Sequence, residues 1–320
     1  MAGCCCGETR GVEELSSADL LCGNEGSWSV VRCEDCGLRR TEPRPPPEEL
    51  AAHYPAEYHP HTAADPPSSA RGDALRRFVL ASIKGYPGEP GGWRWLGALL
   101  GRVFWRRFLG YPEFRAGGHL LDIGCGGGYR LEVLRGLGWS VTGVDFSGAA
   151  VERVRQRGIE AIQGTAGCAA LAGRLFDAVT FFSSLEHVPD PLADLRAVHK
   201  LLRPGGQLIV EVPRIDSWLA RVAGPHWFAL DLPRHLYHFT PDSLGRLLAR
   251  AGFTVTEVRS VQPVDDVVFS WIYRTRRADG GRAPLVASRL QALVARMLAA
   301  GAELAGAGDT MYVNAVRRDG

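Results

Sequence analysis

The chain has no excess of charge of either sign. Thirty-seven Lys and Arg stand against 35 Asp and Glu, a net charge of +2 over 320 residues. No global field therefore points to nucleic acid as a partner. The opening "MAGCCCGETR" lacks the apolar segment of a secretory leader. No uncharged apolar run reaches the roughly 20 residues that span a bilayer. The most apolar helix-like stretch, "LVASRLQALVARMLAA", is broken by Arg289 and Arg296. No internal repeat is visible. These absences predict a cytoplasmic protein, where disulfides are rare and cysteines serve metals or nothing in particular. The hydrophobic fraction of 46% is that of an ordinary globular chain. The length allows one large domain or two modest ones.

The cysteines are present but unevenly spread. Six of the eight precede Gly37; the others are Cys125 and Cys168. Cys33-Glu-Asp-Cys36-Gly37 is half of a zinc site: two thiolates spaced C-x-x-C, with a glycine permitting the turn that aims backbone N–H groups at sulfur. Upstream, Cys6-Gly7 matches the end of a second half, but residue 3 is glycine. Cys4 or Cys5 must then supply the fourth ligand, with Cys22 a possible substitute. The set Cys4, Cys6, Cys33 and Cys36 is the expected ligand shell for a structural zinc, closed because four thiolates leave no position for water. "RRTEPRPPPEEL" breaks the chain after this head. Next comes "HYPAEYHPHTAADPPSSARGD", which reads as a linker with little regular structure. The expected division is a head at 1–42, a linker and helical cap at 43–116, and a larger domain at 117–320.

From Gly118 strand-like and helix-like runs alternate. "HLLDIG" is followed by a helix from Tyr129 to Leu137, then "SVTGVDF" and a helix capped by Ser147 that reaches Arg157. "IEAIQG" and the apolar "FDAVTFF" follow. Asp190 and Pro191 open a helix to Leu202, and "RPGG" should break the chain before "QLIVEVP". Thr240 and Pro241 start another helix, ended by Gly252 before "FTVTEVRS". A helical insertion at about 262–307 precedes the last strand, "DTMYVNAV". The alternation predicts an α/β fold with a parallel sheet flanked by helices.

The loop "LLDIGCGGGYR" is a strand, a glycine turn and a helix start, a cradle many nucleotides can use. A dinucleotide fingerprint would place a third glycine where Tyr129 stands. Asp122 lies two residues before Gly124, where a carboxylate would repel a pyrophosphate but attract a cation. Asp145 ends the next strand and can accept hydrogen bonds from both hydroxyls of a ribose. S-adenosylmethionine (SAM), with an ammonium, a sulfonium and no phosphate, fits both acids.

On "LLDIGCGGGYRLEVL", "VTGVDFS", "FDAVTFFSSLEHVPDPLADLRAVHKLLRPGGQLIVEVP" and "DLPRHLYHFTPDSLGRLLARAGF", the chain resembles the class I SAM-dependent methyltransferases. The resemblance covers roughly Gly118 to Ser260. It implies a Rossmann-like, seven-stranded, mostly parallel sheet with one antiparallel strand from a final hairpin. It also implies that Asp122, Gly124 and Gly126 contact the methionine part of SAM, Asp145 the ribose and Phe146 the adenine. Thr165 stands near the place where many relatives carry an acid for the adenine amine. Cys125 is expected as a small filler under the cofactor, and Ser183 borders the same site. The cysteine head is similar to zinc-ribbon-like heads found before some methyltransferases.

Methyl transfer needs an oriented acceptor and, for a hydroxyl or an acidic carbon, a base. "SLEHVPDP" places Glu186 and His187 after the fourth strand. Quinone-type O-methyltransferases have a similar E-x-x-E-H motif that can hold a metal; Ser183 replaces its first Glu here, so no catalytic metal is carried over. In "HWFALDLPRHLYHF", His235 is the preferred base, with His187, Tyr237 and His238 as further candidates. "WRWLGALLGRVFWRRF" is expected to form a helix lidding the cofactor, with surface association through residues 93–111 as the other use of its arginines. The expected partner is a small-molecule acceptor such as a natural product, sugar or lipid-linked intermediate, with no nucleic acid. The alternatives are a protein or RNA docked by the zinc head, and a catalytically silent SAM-binding scaffold.

Overall fold

A computed structural model describes residues 4–50, 53–54, 70–88, 90–275 and 289–318. Most of the expected linker, and residues 276–288 of the expected insertion, lie outside the described residues. The core is a seven-stranded sheet in the order β10-β11-β8-β7-β4-β5-β6. Its centre is β4 (His119–Ile123) and β7 (Phe176–Phe182). Both are nearly continuous apolar runs, as strands covered on both faces must be. β5 (Ser140–Asp145) and β6 (Glu160–Gln163) extend the sheet in parallel on one side, and β8 (Leu202–Pro213) on the other. β11 (Thr310–Arg317) runs antiparallel between β8 and β10 (Phe253–Val261). This is the split hairpin expected from the sequence, and the Rossmann-like architecture is the one observed.

Helix α1 (Ala70–Ile83) packs against α2 (Arg94–Val103). They approach closely because Gly97 has no side chain: a Cβ there would lie 2.0 Å from Ser82 Oγ. α3 (Tyr129–Gly136) follows the glycine turn, and α4 (Gly148–Gln156) is capped by Ser147, whose Oγ accepts from Ala150 N. α5 (Pro191–Leu201) is capped by the Asp190 carboxylate. α6 (Trp218–Ala223) and α7 (Pro241–Arg250) follow, the latter opened by a capping box between Thr240 and Ser243. α8 (Val264–Thr275) and α9 (Arg289–Leu304) form the insertion. "RPGG" does not end an element. β8 runs through it, and the register with β7 jumps from Phe176↔Leu202 to Ala178↔Gln207, so the tight turn is absorbed as a bulge.

The head contributes β1 (Gly11–Ser17), β2 (Trp28–Cys33) and β3 (Arg39–Glu42), all antiparallel. Its sheet does not stop there. β9 (Tyr237–His238), from the far end of the chain, pairs with β3, Arg40 opposite Tyr237. Cys4, Cys33 and Leu38 belong to the same apolar cluster as Leu121, Phe181, Leu236 and Phe239. The head is therefore part of the main core, and its sheet borrows a strand from the segment that was expected to face the acceptor.

Candidate active site and cysteine cluster

The glycine turn leaves the end of β4. Gly124 has φ +74°, and a Cβ there would sit 2.4 Å from Ser184 Cβ, so only glycine lets the backbone pass. The turn is held by a carboxylate. Asp145 Oδ2 accepts from Gly126 N at 2.8 Å, and its Oδ1 accepts from Ser147 N at 2.8 Å. Asp122 lies 2% exposed beneath the turn, accepting from Thr180 Oγ1 at 2.7 Å. Burial pushes its carboxyl up to about 7, with Asp145 and Glu211 adding to the effect and Thr180 and Arg130 opposing it. Cys125 turns inward: a Cβ on Gly143 would meet its Sγ at 2.7 Å, and burial raises its thiol pKa, the environment of an apolar filler. Phe146 is half exposed beside the turn. Thr165 is exposed on the loop after β6. Ser183 is exposed too, at φ +46°, with its hydroxyl turned to Glu211 Oε1 at 3.2 Å.

A second group of side chains lies where β7 ends. A 3₁₀ turn, Leu185–His187, carries Glu186 and His187, and the loop before β9 carries His235. The His187 and His235 rings meet edge to face at 4.7 Å. His187 Nδ1 lies 3.0 Å from the Arg234 carbonyl oxygen and 2.9 Å from Tyr54 Oη. A carbonyl only accepts, so the proton belongs on Nδ1 when that bond is made, which leaves the lone pair on Nε2. His235 repeats the pattern, with Nδ1 2.9 Å from the Ala229 carbonyl oxygen. Burial, reinforced by His235, pushes His187 down to about 3. Burial lowers His235 as well, against the pull of Asp231. Glu186 is 1% exposed, and neither carboxyl oxygen finds a hydrogen-bond partner among the described residues. Burial raises it to about 8, so near neutral pH it is largely a protonated acid able to donate. One ligating atom from each of Glu186, His187 and His235 falls within 4.8 Å of the others, a spacing that also suits three ligands of one cation.

Two expected members leave this group. Tyr237 is 1% exposed, its hydroxyl donating to Pro189 O at 3.2 Å and its ring under the Arg44 guanidinium. His238 is 3% exposed, with Nε2 3.0 Å from Thr41 Oγ1. Tyr237 is thus tied to the loop before α5 and to Arg44, and His238 to Thr41 of the head.

Two other residues enter it. Tyr54, from the segment read as a linker, places its ring 5.7 Å from Phe146 and 6.0 Å from His187, bridging the two halves of the site. Arg234 is fully buried and binds three segments at once. It donates to both Asp19 oxygens at 2.8 and 2.7 Å, to Asp231 Oδ1 at 2.6 and 3.0 Å, and to His53 O at 3.1 Å. Asp19 in turn accepts from Cys22 N and Asn24 Nδ2 in the head. The Cys22 backbone N–H thus belongs to this packed turn, and its sulfur is not among the four that lie together in the head.

The remaining cysteines resolve the open choice in the head. Cys4 Sγ lies 3.4 Å from Cys36 Sγ, and Cys6 Sγ 3.6 Å from Cys33 Sγ. All four sulfurs fall within 4.8 Å of one another, whereas Cys5 stands outside the group. Sulfurs at about 2.3 Å from a tetrahedral zinc would be separated by a little under 4 Å, which this spacing fits. Backbone N–H groups point at each sulfur: Cys6 at Cys4, Glu8 at Cys6, Asp35 and Cys36 at Cys33, and Leu38 at Cys36. That is the electrostatic support thiolates around a cation require.

A family model described as "Methyltransferase domain" matches residues 93–258, more than half of the chain. The chain belongs to that family. A ubiquinone biosynthesis O-methyltransferase of Xanthomonas oryzae pv. oryzae is 39% identical over 156 residues, 45% of this chain and 65% of that protein. The chain thus spans just under two thirds of the length of this relative. The protein of the same name from Pseudomonas aeruginosa strain PAO1 is 34% identical over 185 residues, 51% of this chain and 79% of the relative. A chain from the complex between the Haloferax volcanii Trm112 methyltransferase activator and a methyltransferase superposes with a TM-score of 0.50 at 19% identity, covering 67% of this chain and 88% of that one. This last likeness concerns the fold.

Proposed function

We propose that the protein transfers a methyl group from SAM to a small-molecule acceptor. The carrying observation is the pair of carboxylates at the glycine turn. Asp145 is fixed by Gly126 N and Ser147 N, and Asp122 is buried below. Such a turn disfavours pyrophosphate and suits a cationic ligand that carries a ribose. Asp122, Gly124 and Gly126 would hold the methionine end, Asp145 the ribose, and Phe146 with Thr165 the adenine. Cys125 would fill the space underneath and Ser183 border the site. SAM supplies a methyl already activated for in-line displacement. The chain positions the acceptor and takes its proton. His187 Nε2 is the base, because its ring is less buried than that of His235 and its tautomer is set by Arg234 O. His235 backs it and Tyr54 fixes its face. The name shared by the two bacterial relatives favours an oxygen acceptor. The docking of the head into the main core speaks against a separate arm for protein or RNA. Head (1–42), linker with cap (43–116) and cofactor domain (117–320) would work as one unit.

Titration calorimetry tests this reading. SAM and S-adenosylhomocysteine (SAH) should bind with an affinity that depends on pH. A cation at Asp122 needs the carboxylate, and the free protein holds that carboxyl at about 7. Below that pH its proton must leave on binding, so affinity should fall by up to about tenfold per unit and level off above it. Asp122→Asn should weaken binding and abolish this slope. Preference for NADH over SAH, or no binding, would overturn the proposal.

The four cysteines carry a second expectation: one structural zinc per chain, measured by elemental analysis of protein purified without added metal. Absent zinc together with four freely titratable thiols would refute it. Because β3 pairs with β9, Cys33→Ser should disturb turnover as well as the head, whereas SAH affinity, set by the glycine turn after β4 and by Asp145 at the end of β5, should change little.

A further inference from the structure

Two helices are turned inside out. A helix on a globular core buries its large apolar residues and exposes small or polar ones. α2 does the reverse: it packs Gly97 and Gly101 against α1 and presents Trp93, Trp95, Leu99, Val103 and Phe104 to solvent, the first two at 63% and 62% exposure. α9 repeats the inversion. Its buried residues are Ala295, Ala299 and Ala302, while Leu290, Leu293, Met297 and Leu304 stand out in one stripe. The two helices adjoin, because Arg106, just after α2, pairs with Glu303 near the end of α9.

The charges carried by α2, the turn after it and α9 are nearly all of one sign, although Glu257 lies beside Arg102 and Trp105 at the edge of this face. From Pro90 to Pro112 the sequence holds no carboxylate but has Arg94, Arg102, Arg106 and Arg107. α9 adds Arg289 and Arg296, and its single acid, Glu303, is spent on Arg106. Exposed tryptophans beside arginines suit the boundary between lipid headgroups and acyl chains, where the indole lies half in each layer and guanidinium groups reach phosphate. A second copy of the chain is a poorer occupant, since self-pairing of this face would set arginine against arginine. No helix among the described residues is long and apolar enough to cross a membrane, so contact would be with the surface.

We infer that the face formed by α2 and α9 docks onto an anionic lipid bilayer. The full chain is tested by co-sedimentation with vesicles of phosphatidylcholine alone and of phosphatidylcholine with phosphatidylglycerol. Binding should require the anionic lipid, weaken as salt rises and shift tryptophan emission to the blue. The double variant Trp93→Ser/Trp95→Ser should bind vesicles at least about tenfold more weakly, and Arg102→Gln/Arg107→Gln should lose the preference for anionic lipid. Unchanged far-UV spectra and an unchanged cooperative urea transition in both variants would show that they fold. Absence of sedimentation with any vesicle by wild-type protein that still binds SAH would overturn the inference. So would a concentration-dependent dimer in sedimentation velocity that the tryptophan variant abolishes, because the face would then belong to a second copy. Emission already blue and inaccessible to a soluble quencher without lipid would overturn it as well, because the face would be covered.

Discussion

Replacing Arg234 with methionine is expected to destabilise the protein by about 3–5 kcal/mol, the range for breaking a buried ion pair by removing one partner. The guanidinium is fully buried between Asp19, 3% exposed, and Asp231, which Arg234 and His235 hold below the ordinary carboxylate range despite its burial. Without the guanidinium, two buried carboxylates lose the cation they share, and the cost is their desolvation more than the lost hydrogen bonds. Against a total stability of about 5–15 kcal/mol this is a large fraction. Urea unfolding at pH 7 measures it. Adding Asp19→Asn to the methionine variant should restore part of the loss by removing one stranded charge. A methionine variant within about 1 kcal/mol of wild type would show that water or a rearranged loop already solvates the site.

His187→Ala is expected to lower kcat by about 10²–10⁴-fold, the usual worth of general-base assistance, with SAM affinity almost unchanged. His235→Ala should cost less, because its ring stands behind that of His187. The pH profile separates the two halves of the site. With His187 pushed down to about 3 by burial, its imidazole is neutral throughout pH 6–8, so kcat should show no limb from it there. A fall in rate below pH 7 should come from Asp122 and appear in the KM for SAM. If both histidine variants keep near-normal turnover, the acceptor loses its proton to water and positioning alone carries the reaction. Purified wild-type and variant proteins assayed with labelled SAM would distinguish these outcomes once an acceptor is found.

What could be seen in the sequence was local. The glycine turn with Asp122 and Asp145, and the caps at Ser147, Asp190 and Thr240, are each encoded within a few residues, and a hydrogen bond over three residues leaves a pattern in the letters. Cys4 could be told from Cys5 only in three dimensions, since adjacent side chains point apart and spacing alone admits either. Tyr54 was hidden by its surroundings: a proline- and histidine-rich stretch carries no periodicity, although one aromatic in it reaches the site. Nothing near Arg234 announces that its partner lies in the head, because Asp19 is distant in sequence and pairing across such a distance follows from the folded topology. The pairing of Tyr237–His238 with β3 was illegible for the same reason.

The pairing of β3 with β9 has a consequence for how such a chain can be cut or recombined. A version begun after Glu42 would expose the edge of Tyr237–His238, leave His238 without Thr41 and leave Arg234 without Asp19. The cysteine head and the loop beside His187 are thus one structural unit written in two distant places, and substitutions in either should be tolerated only when the other answers.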